Sequence, residues 1–205
     1  TTAKQLLSFI KASPTCFHAV WNIAEMLKQA GYQELSESDA WQISAGGKYY
    51  VTRNQSSIIA LHIGEDISDY SFNIVASHSD SPSFKVKEHA QIEVCGKYAQ
   101  LNTEGYGGML CSTWMDRPLS LAGRALIKTQ NGFVSKLVNI DRDLLLIPSV
   151  AIHMNREANQ GYAYNKQIDL LPLLGGEDTD KDAYRKMIAA QLGVSLSDIC
   201  GLDLF

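Results

Sequence analysis

The sequence lacks the features that mark membrane and secreted proteins. It contains no apolar run of about 18 residues, so no transmembrane helix is predicted. Its first residues lack a basic segment followed by an apolar one, so we expect no secretory leader. The chain begins with Thr1 and Thr2 rather than Met, which suggests a processed or trimmed polypeptide.

An excess of charge of one sign is also missing. The 18 basic and 22 acidic residues give a formal net charge of −4. Proteins that bind nucleic acids or anionic membranes usually carry a basic surface. We therefore expect neither nucleic acid nor membrane as a partner.

Cysteines are few and poorly spaced for metal binding or for a disulfide framework. The four are Cys16, Cys95, Cys111 and Cys200, and none belongs to a Cys-x-x-Cys pair. This spacing favours thiols without disulfides, mostly buried, in a reducing cytosol. A structural zinc site made from these cysteines is not expected, and a cytoplasmic location is.

Two catalytic or binding motifs are absent as well. The loop Gly105-Tyr106-Gly107-Gly108 lacks the order of glycines and the following helix that phosphate binding needs, so we interpret it as a turn. No serine stands in a Gly-x-Ser-x-Gly sequence, which excludes the nucleophile elbow of serine hydrolases.

The composition is that of a globular protein. The chain has 205 residues, of which 45% are hydrophobic and 20% charged. This length accommodates one large or two small domains with a real core.

Residues 1 to about 88 have the pattern of an α/β layer. Helices are predicted over residues 3–10 and 16–30, the second with Gly31 as its C-terminal stop. Strands are predicted at 41–43, at 48–53 and 57–63 as a hairpin, and at 72–77 as a buried strand.

After about residue 88 strand patterns dominate, and we place a domain boundary there. Predicted strands cover residues 91–94, 119–129, 133–140, 144–147, 150–153, 167–174 and 199–205. Asn131-Gly132 is a strong hairpin signal, and a helix is predicted over 180–192, ended by Gly193.

His78 and Asp80 are the first candidate site residues. In an extended backbone, residues two apart have side chains on the same face. The carboxylate can then accept the second ring N–H of a zinc-binding imidazole, or can itself be a ligand. A hydrogen-bonded turn explains the pair equally well, and one histidine cannot hold zinc. His18, in a first helical turn, is interpreted as a surface or capping residue, and His62 as structural.

Four blocks of sequence resemble the aspartyl-aminopeptidase type of zinc aminopeptidase, the eighteenth metallopeptidase family. In chain order they are residues 13–20 (SPTCFHAV), 77–87 (SHSDSPSFKVK), 106–124 (YGGMLCSTWMDRPLSLAGR) and 147–156 (IPSVAIHMNR). The resemblance covers almost the whole chain.

The resemblance implies a zinc-dependent enzyme that removes N-terminal residues from peptides. Such enzymes hold two metal ions, usually zinc, in an α/β catalytic domain, and a β-rich dimerisation domain is inserted into it. Residues 1–88 would be the first part of the catalytic domain and 89–205 most of the insertion. The family assembles from dimers into dodecamers, so a homo-oligomer is expected.

The resemblance also implies roles for three residues. His78 matches a metal ligand, and Asp80 matches the carboxylate that orients it. His153 matches a histidine that the dimerisation domain presents to the active site of a neighbouring subunit. Without the resemblance, His153 would be interpreted as a structural residue.

The chain departs from the family pattern because it stops before several essential groups. The family's bridging aspartate, its general-base glutamate, its other carboxylate ligands and its last histidine all follow the insertion. The sequence therefore resembles the amino-terminal half of a longer enzyme, and we expect it to be inactive alone. The alternative is an oligomerisation or assembly module without catalytic activity, which Trp114 and Arg117, residue types common at interfaces, favour.

Overall fold

The computed structural model describes all 205 residues and divides them into two compact units, Thr1–Ser81 and Pro82–Phe205. The fold is α/β, as the sequence predicts. The predicted boundary near residue 88 lies inside a strand of the second unit. No helix has the length and apolar character that a membrane span requires.

Three α-helices and nine β-strands form the two units, together with three short 3-10 helices. The helices are α1 (Thr2–Ala12), α2 (Cys16–Gln29) and α3 (Ala183–Leu192). The strands are β1 (Gln33–Glu34), β2 (Lys48–Arg53), β3 (Ser57–His62), β4 (Ser83–Val94), β5 (Tyr98–Tyr106), β6 (Ala122–Thr129), β7 (Gly132–Asn139), β8 (Leu173–Gly176) and β9 (Ile199–Leu204).

In the first unit, α2 supplies the buried face. Its apolar residues recur every three or four positions, and Phe17, Val20 and Ala24 are buried. The helix ends as predicted, because Gly31 adopts φ 83, a left-handed conformation that follows many helices.

The sheet of the first unit has the order β1-β2-β3, with β1 parallel and β3 antiparallel to β2. The hairpin of β2 and β3 is confirmed. Asn54 and Gln55 both have positive φ, which allows the chain to reverse between Arg53 and Ser57.

Two strands predicted for this unit do not form. Residues 41–43 and 72–77 pair with no other strand. Instead of being buried, Val75 is 99% exposed. A strand exists only where another strand satisfies its N–H and C=O groups, and none of the 205 residues does so here. The prediction of a buried strand at 72–77 is therefore wrong in both conformation and burial.

The second unit contains two antiparallel three-stranded sheets, β4-β5-β8 and β7-β6-β9. Helix α3 packs with them around one main core. That core is formed by buried residues from both sheets and the helix, namely Val86, Ala90, Leu101, Leu121, Ala125, Ile127, Val138, Ile140, Leu145, Tyr184, Ile188, Ala189, Ile199 and Leu204.

Local signals in this unit are confirmed where the turn chemistry is strong. The predicted hairpin forms between β6 and β7, with Gln130 and Asn131 in the turn and Gly132 paired with Thr129, and α3 ends at Gly193 with φ 64. Strand β9 pairs with β6, where Gly123 is needed because a Cβ there would lie 2.0 Å from the Asp203 carbonyl oxygen.

Other predictions for the second unit are wrong. Residues 150–153 form turns rather than a strand, and of the predicted strand 167–174 only its end belongs to β8. Leu145 and Leu146 make isolated bridges to Leu119 and Leu173. Ile147 and Leu170, which lie outside the strands, form a second buried cluster with Phe84 of β4.

The cysteines differ from expectation in their burial. No disulfide joins the four, but Cys95 and Cys200 are exposed and Cys16 and Cys111 are half-buried. The prediction that most are buried was wrong, because turn and edge positions carry two of them.

Candidate functional site

His78 lies in the irregular segment between β3 and β4 rather than at the end of a sheet strand. One contact attaches this segment to the sheet of the first unit. The Ser79 hydroxyl donates a hydrogen bond of 2.9 Å to the Ser56 carbonyl, in the turn between β2 and β3. His78 is therefore held beside an attached residue while its own side chain is 82% exposed.

The structure brings His78 and Asp80 together. The Nδ1 atom of His78 lies 2.9 Å from the Asp80 carbonyl oxygen and 3.1 Å from the Asp80 carboxylate Oδ1. The two-residue spacing thus gives a side-chain contact, although the backbone between them is not a strand.

The two acceptors determine which ring nitrogen carries the proton. Because a carbonyl oxygen and a carboxylate oxygen only accept hydrogen bonds, the neutral ring satisfies both by holding its proton on Nδ1. The Nε2 atom then keeps a lone pair. In a ring this exposed, Nε2 is chemically suited to bind a divalent metal ion.

The donor set around this ring is incomplete for a zinc site. No group of three or more His, Cys, Asp or Glu side chains lies close enough to hold a metal ion. Zinc needs three or four protein ligands. The residues present fit one ligand, His78, and the group that orients it.

His153 lies in the second unit, in a turn. The Met154 N–H donates to the Ala151 carbonyl at 2.8 Å, which places His153 at the third position of the turn. The His153 side chain is exposed, so the burial expected of a structural core histidine is not seen.

A carboxylate that sequence reasoning did not single out fixes the segment before this turn. Both carboxylate oxygens of Asp116 accept hydrogen bonds from Ser149, one from its N–H at 2.9 Å and one from its hydroxyl at 2.5 Å. These bonds hold the pKa of Asp116 below its usual value. No signal in the sequence marks this contact, because Asp116 and Ser149 lie 33 positions apart.

His18 is buried rather than at the surface. Its Nδ1 lies 2.8 Å from the Thr15 hydroxyl at the start of α2, and burial lowers its pKa. The prediction of a surface or capping residue was wrong, because Thr15 and His18 bond to each other instead of capping the helix N–H groups.

Comparison with known sequences identifies relatives over almost the whole chain. The profile of the family described as aminopeptidase I zinc metalloprotease (M18) matches residues 9–205. A probable M18 family aminopeptidase 2 of Clostridium novyi is 44% identical over 209 residues, which cover 99% of this chain and 48% of the relative.

Comparison with solved structures gives the same result. A chain in the cryo-EM structure of the Ape4 and Nbr1 complex has a TM-score of 0.91 and 37% identity, covering 98% of this chain and 43% of that one. A chain of the S. cerevisiae mApe1 dodecamer has a TM-score of 0.77 and 26% identity, covering 99% of this chain and 47% of that one.

The chain spans about half the length of the curated relatives it matches. The matched residues 9–205 span all four sequence blocks. The chain therefore belongs to the M18 family, the aminopeptidase I zinc metalloproteases.

Proposed function

We propose that this chain is the amino-terminal half of a zinc-dependent aminopeptidase that releases N-terminal amino acids from peptides. Family membership supports the reaction class. The single observation that carries the site assignment is the pairing of His78 Nδ1 with two acceptors of Asp80, which leaves Nε2 to a metal.

The proposed domain organisation follows the family pattern. Residues 1–88 form the first part of the catalytic domain, and 89–205 form most of an inserted dimerisation domain. The two compact units divide between Ser81 and Pro82 rather than at residue 88, but their content supports a division of this kind. Both long α-helices of the amino-terminal region belong to the first unit, whereas the second contains six of the nine strands.

In this proposal His78 supplies one metal ligand, and the other ligands for two zinc ions belong to the rest of the complete protein. Zinc, when bound, lowers the pKa of a coordinated water and polarises the peptide carbonyl. Asp80 orients the His78 ring by accepting its Nδ1–H, which leaves the Nε2 lone pair available to the metal. The general base is a glutamate outside this sequence.

His153 is proposed to act in a neighbouring subunit as a preorganised donor to the oxyanion that develops on the scissile carbonyl. Its exposed position on a turn supports a role outside its own subunit. This role requires a homo-oligomer, for which we propose dimers that assemble into a dodecamer. The assembly of mApe1 as a dodecamer supports that proposal.

A second candidate function is an assembly module without activity of its own. Its support is the group of large apolar side chains that the second unit exposes, including Leu110, Val150 and Met154. Size-exclusion chromatography of the purified 205-residue chain tests this alternative. A defined dimer or larger assembly supports it, and a monomer counts against it.

The experiment for the main proposal compares the 205-residue chain with the complete protein, using an aminoacyl-nitroanilide as substrate. The complete protein is expected to hydrolyse it in a zinc-dependent reaction, and the 205-residue chain is expected not to. Turnover by the highly purified chain contradicts the assignment of the base and remaining ligands to other residues.

The cytoplasmic location stays a prediction.

A further inference from the structure

We propose that Asp116 is a positioning residue that fixes the direction of the turn carrying His153. The inference rests on the proposed function of His153 and adds to it a residue that holds this histidine in place. Asp116 lies just beyond the short 3-10 helix Cys111–Trp114, far in sequence from His153. It reaches the His153 segment through Ser149.

Three hydrogen bonds connect Asp116 with the residues on either side of Pro148. The Asp116 N–H donates to the Ile147 carbonyl at 2.9 Å. The Ser149 N–H and hydroxyl donate to the two carboxylate oxygens at 2.9 and 2.5 Å. Pro148 has no N–H and cannot donate to a neighbouring strand. The Asp116 carboxylate instead accepts the hydrogen bonds that hold this segment in place.

The backbone of Asp116 is suited to this contact. Its φ of 56 lies in the left-handed region, where Asp and Asn are among the few tolerated residues other than glycine. In this conformation the main-chain N–H of Asp116 bonds to Ile147 while its carboxylate bonds to Ser149, two residues further along the same segment. A residue that avoids the left-handed conformation would weaken the bond to Ile147 and the bonds from Ser149 together.

The base of this connection is rigid. Ile147 is fully buried in the cluster with Phe84 and Leu170, and the Phe84 and Trp114 rings pack edge to face with centroids 5.1 Å apart. The segments of Asp116 and Ser149 therefore both start from one packed cluster. Ser149, which is bonded to Asp116, is the last residue held in this way before the exposed turn at His153.

The charge of Asp116 strengthens the connection. Hydrogen bonds from the Ser149 side chain and backbone hold the pKa of Asp116 below its usual value, so the group is a carboxylate at neutral pH. Bonds to an ionised acceptor are stronger than those between neutral groups. The turn is thus held at its amino end by two charge-assisted bonds, and beyond them only by its own turn hydrogen bond.

The test uses the complete enzyme and begins with three variants, two at Asp116 and one at Ser149. Asp116→Ala removes both acceptors and is expected to lower kcat about 10–100-fold with KM unchanged, since displacement of a group that acts in the transition state affects kcat. Asp116→Asn keeps the left-handed conformation and an acceptor, and should restore most of the activity. Ser149→Ala removes only the hydroxyl bond and gives a smaller loss, which keeps the test informative if Asp116→Ala does not fold.

Asp66→Ala is the matched control for Asp116→Ala. Asp66 accepts hydrogen bonds from the Ser68 N–H at 2.9 Å and hydroxyl at 2.6 Å, the same pair of donors, but within one loop of the first unit. Its replacement should leave kcat and KM unchanged. A loss of kcat equal to that of Asp116→Ala would show that such carboxylate–serine contacts matter only for general folding.

A double-mutant cycle with His153→Ala decides the outcome. If Asp116 acts through His153, Asp116→Ala causes no further loss of kcat once His153 is replaced. Equal losses in both backgrounds overturn this inference and leave the role of His153 intact. If His153→Ala by itself leaves kcat unchanged, the proposed role of His153 fails, and this inference with it.

Discussion

The Nδ1 atom of His78 faces two oxygen atoms of the same residue, the carbonyl of Asp80 at 2.9 Å and its carboxylate at 3.1 Å. One of these acceptors belongs to the main chain and survives any substitution at position 80. Two acceptors therefore hold the orientation of the His78 ring, whereas no other atom can replace Nε2 as the proposed metal ligand. This difference sets the relative sizes of two expected mutational effects.

His78→Ala is expected to reduce the activity of the complete protein to below a few per cent, because a zinc ligand is lost. Zinc content, measured by mass spectrometry on protein dialysed against metal-free buffer, should fall as well. His89→Ala is the control, since His89 is an exposed histidine in β4 that we assign no role. Activity or zinc retained in His78→Ala at the level of His89→Ala would refute the ligand assignment.

Asp80→Ala is expected to weaken zinc binding less than His78→Ala does. Loss of an orienting group typically costs roughly 10–100-fold in metal affinity. Because the carbonyl acceptor remains in Asp80→Ala, we expect a loss of zinc affinity of about 10-fold. Competition with a fluorescent zinc chelator measures the change. Asp69→Ala, an exposed aspartate in the segment before His78, is the control and should leave the affinity unchanged. A loss as complete as that of His78→Ala would instead indicate that Asp80 is itself a ligand.

Sequence patterns predict the elements of this fold that depend on near neighbours. The hairpin next to Gly132, where φ is 122, and the helix stop at Gly193, where φ is 64, both use backbone angles that glycine permits. The contact of His78 with Asp80 likewise joins residues two apart.

Features that depend on distant partners could not be predicted. Residues 72–77 have a strand composition, but a strand needs a pairing partner, and the sequence does not show whether one is present. The bonds between Asp116 and Ser149 join residues 33 positions apart. No spacing rule connects these two segments, so only the folded chain reveals them.

The stability of the protein should depend on the protonation of His18. Burial lowers the pKa of His18 below 6.5, so the unfolded chain binds a proton more readily than the folded one. The stabilising contribution is complete above the unfolded pKa and is lost as the pH falls through the folded value. Urea unfolding measured between about pH 8 and pH 5 should therefore show a falling midpoint below about pH 6.5.

The control for this effect is His18→Asn, which keeps a polar partner for Thr15 but does not titrate in this range. Its unfolding midpoint should fall less steeply with decreasing pH than that of the wild type. Because the other four histidines are the same in both proteins, the difference isolates His18. Identical slopes would mean that His18 does not stay neutral in the folded state.

The main core of the second unit gives a prediction about stability alone. Leu101 in β5 is fully buried, so Leu101→Ala should lower the free energy of unfolding by about 2–5 kcal/mol through lost burial and a cavity. Leu110→Ala, at a 76% exposed position, should change it by less than about 0.5 kcal/mol. Urea denaturation of both variants measures the difference, and equal effects would contradict the assignment of this core.

The most direct measurement of the central claim is the position of zinc in crystals of the complete protein, located by anomalous scattering at the zinc absorption edge. The account predicts an anomalous peak about 2.0–2.1 Å from Nε2 of His78, with Nδ1 still bonded to Asp80. Zinc peaks that are present but lie outside bonding distance of His78 would contradict it.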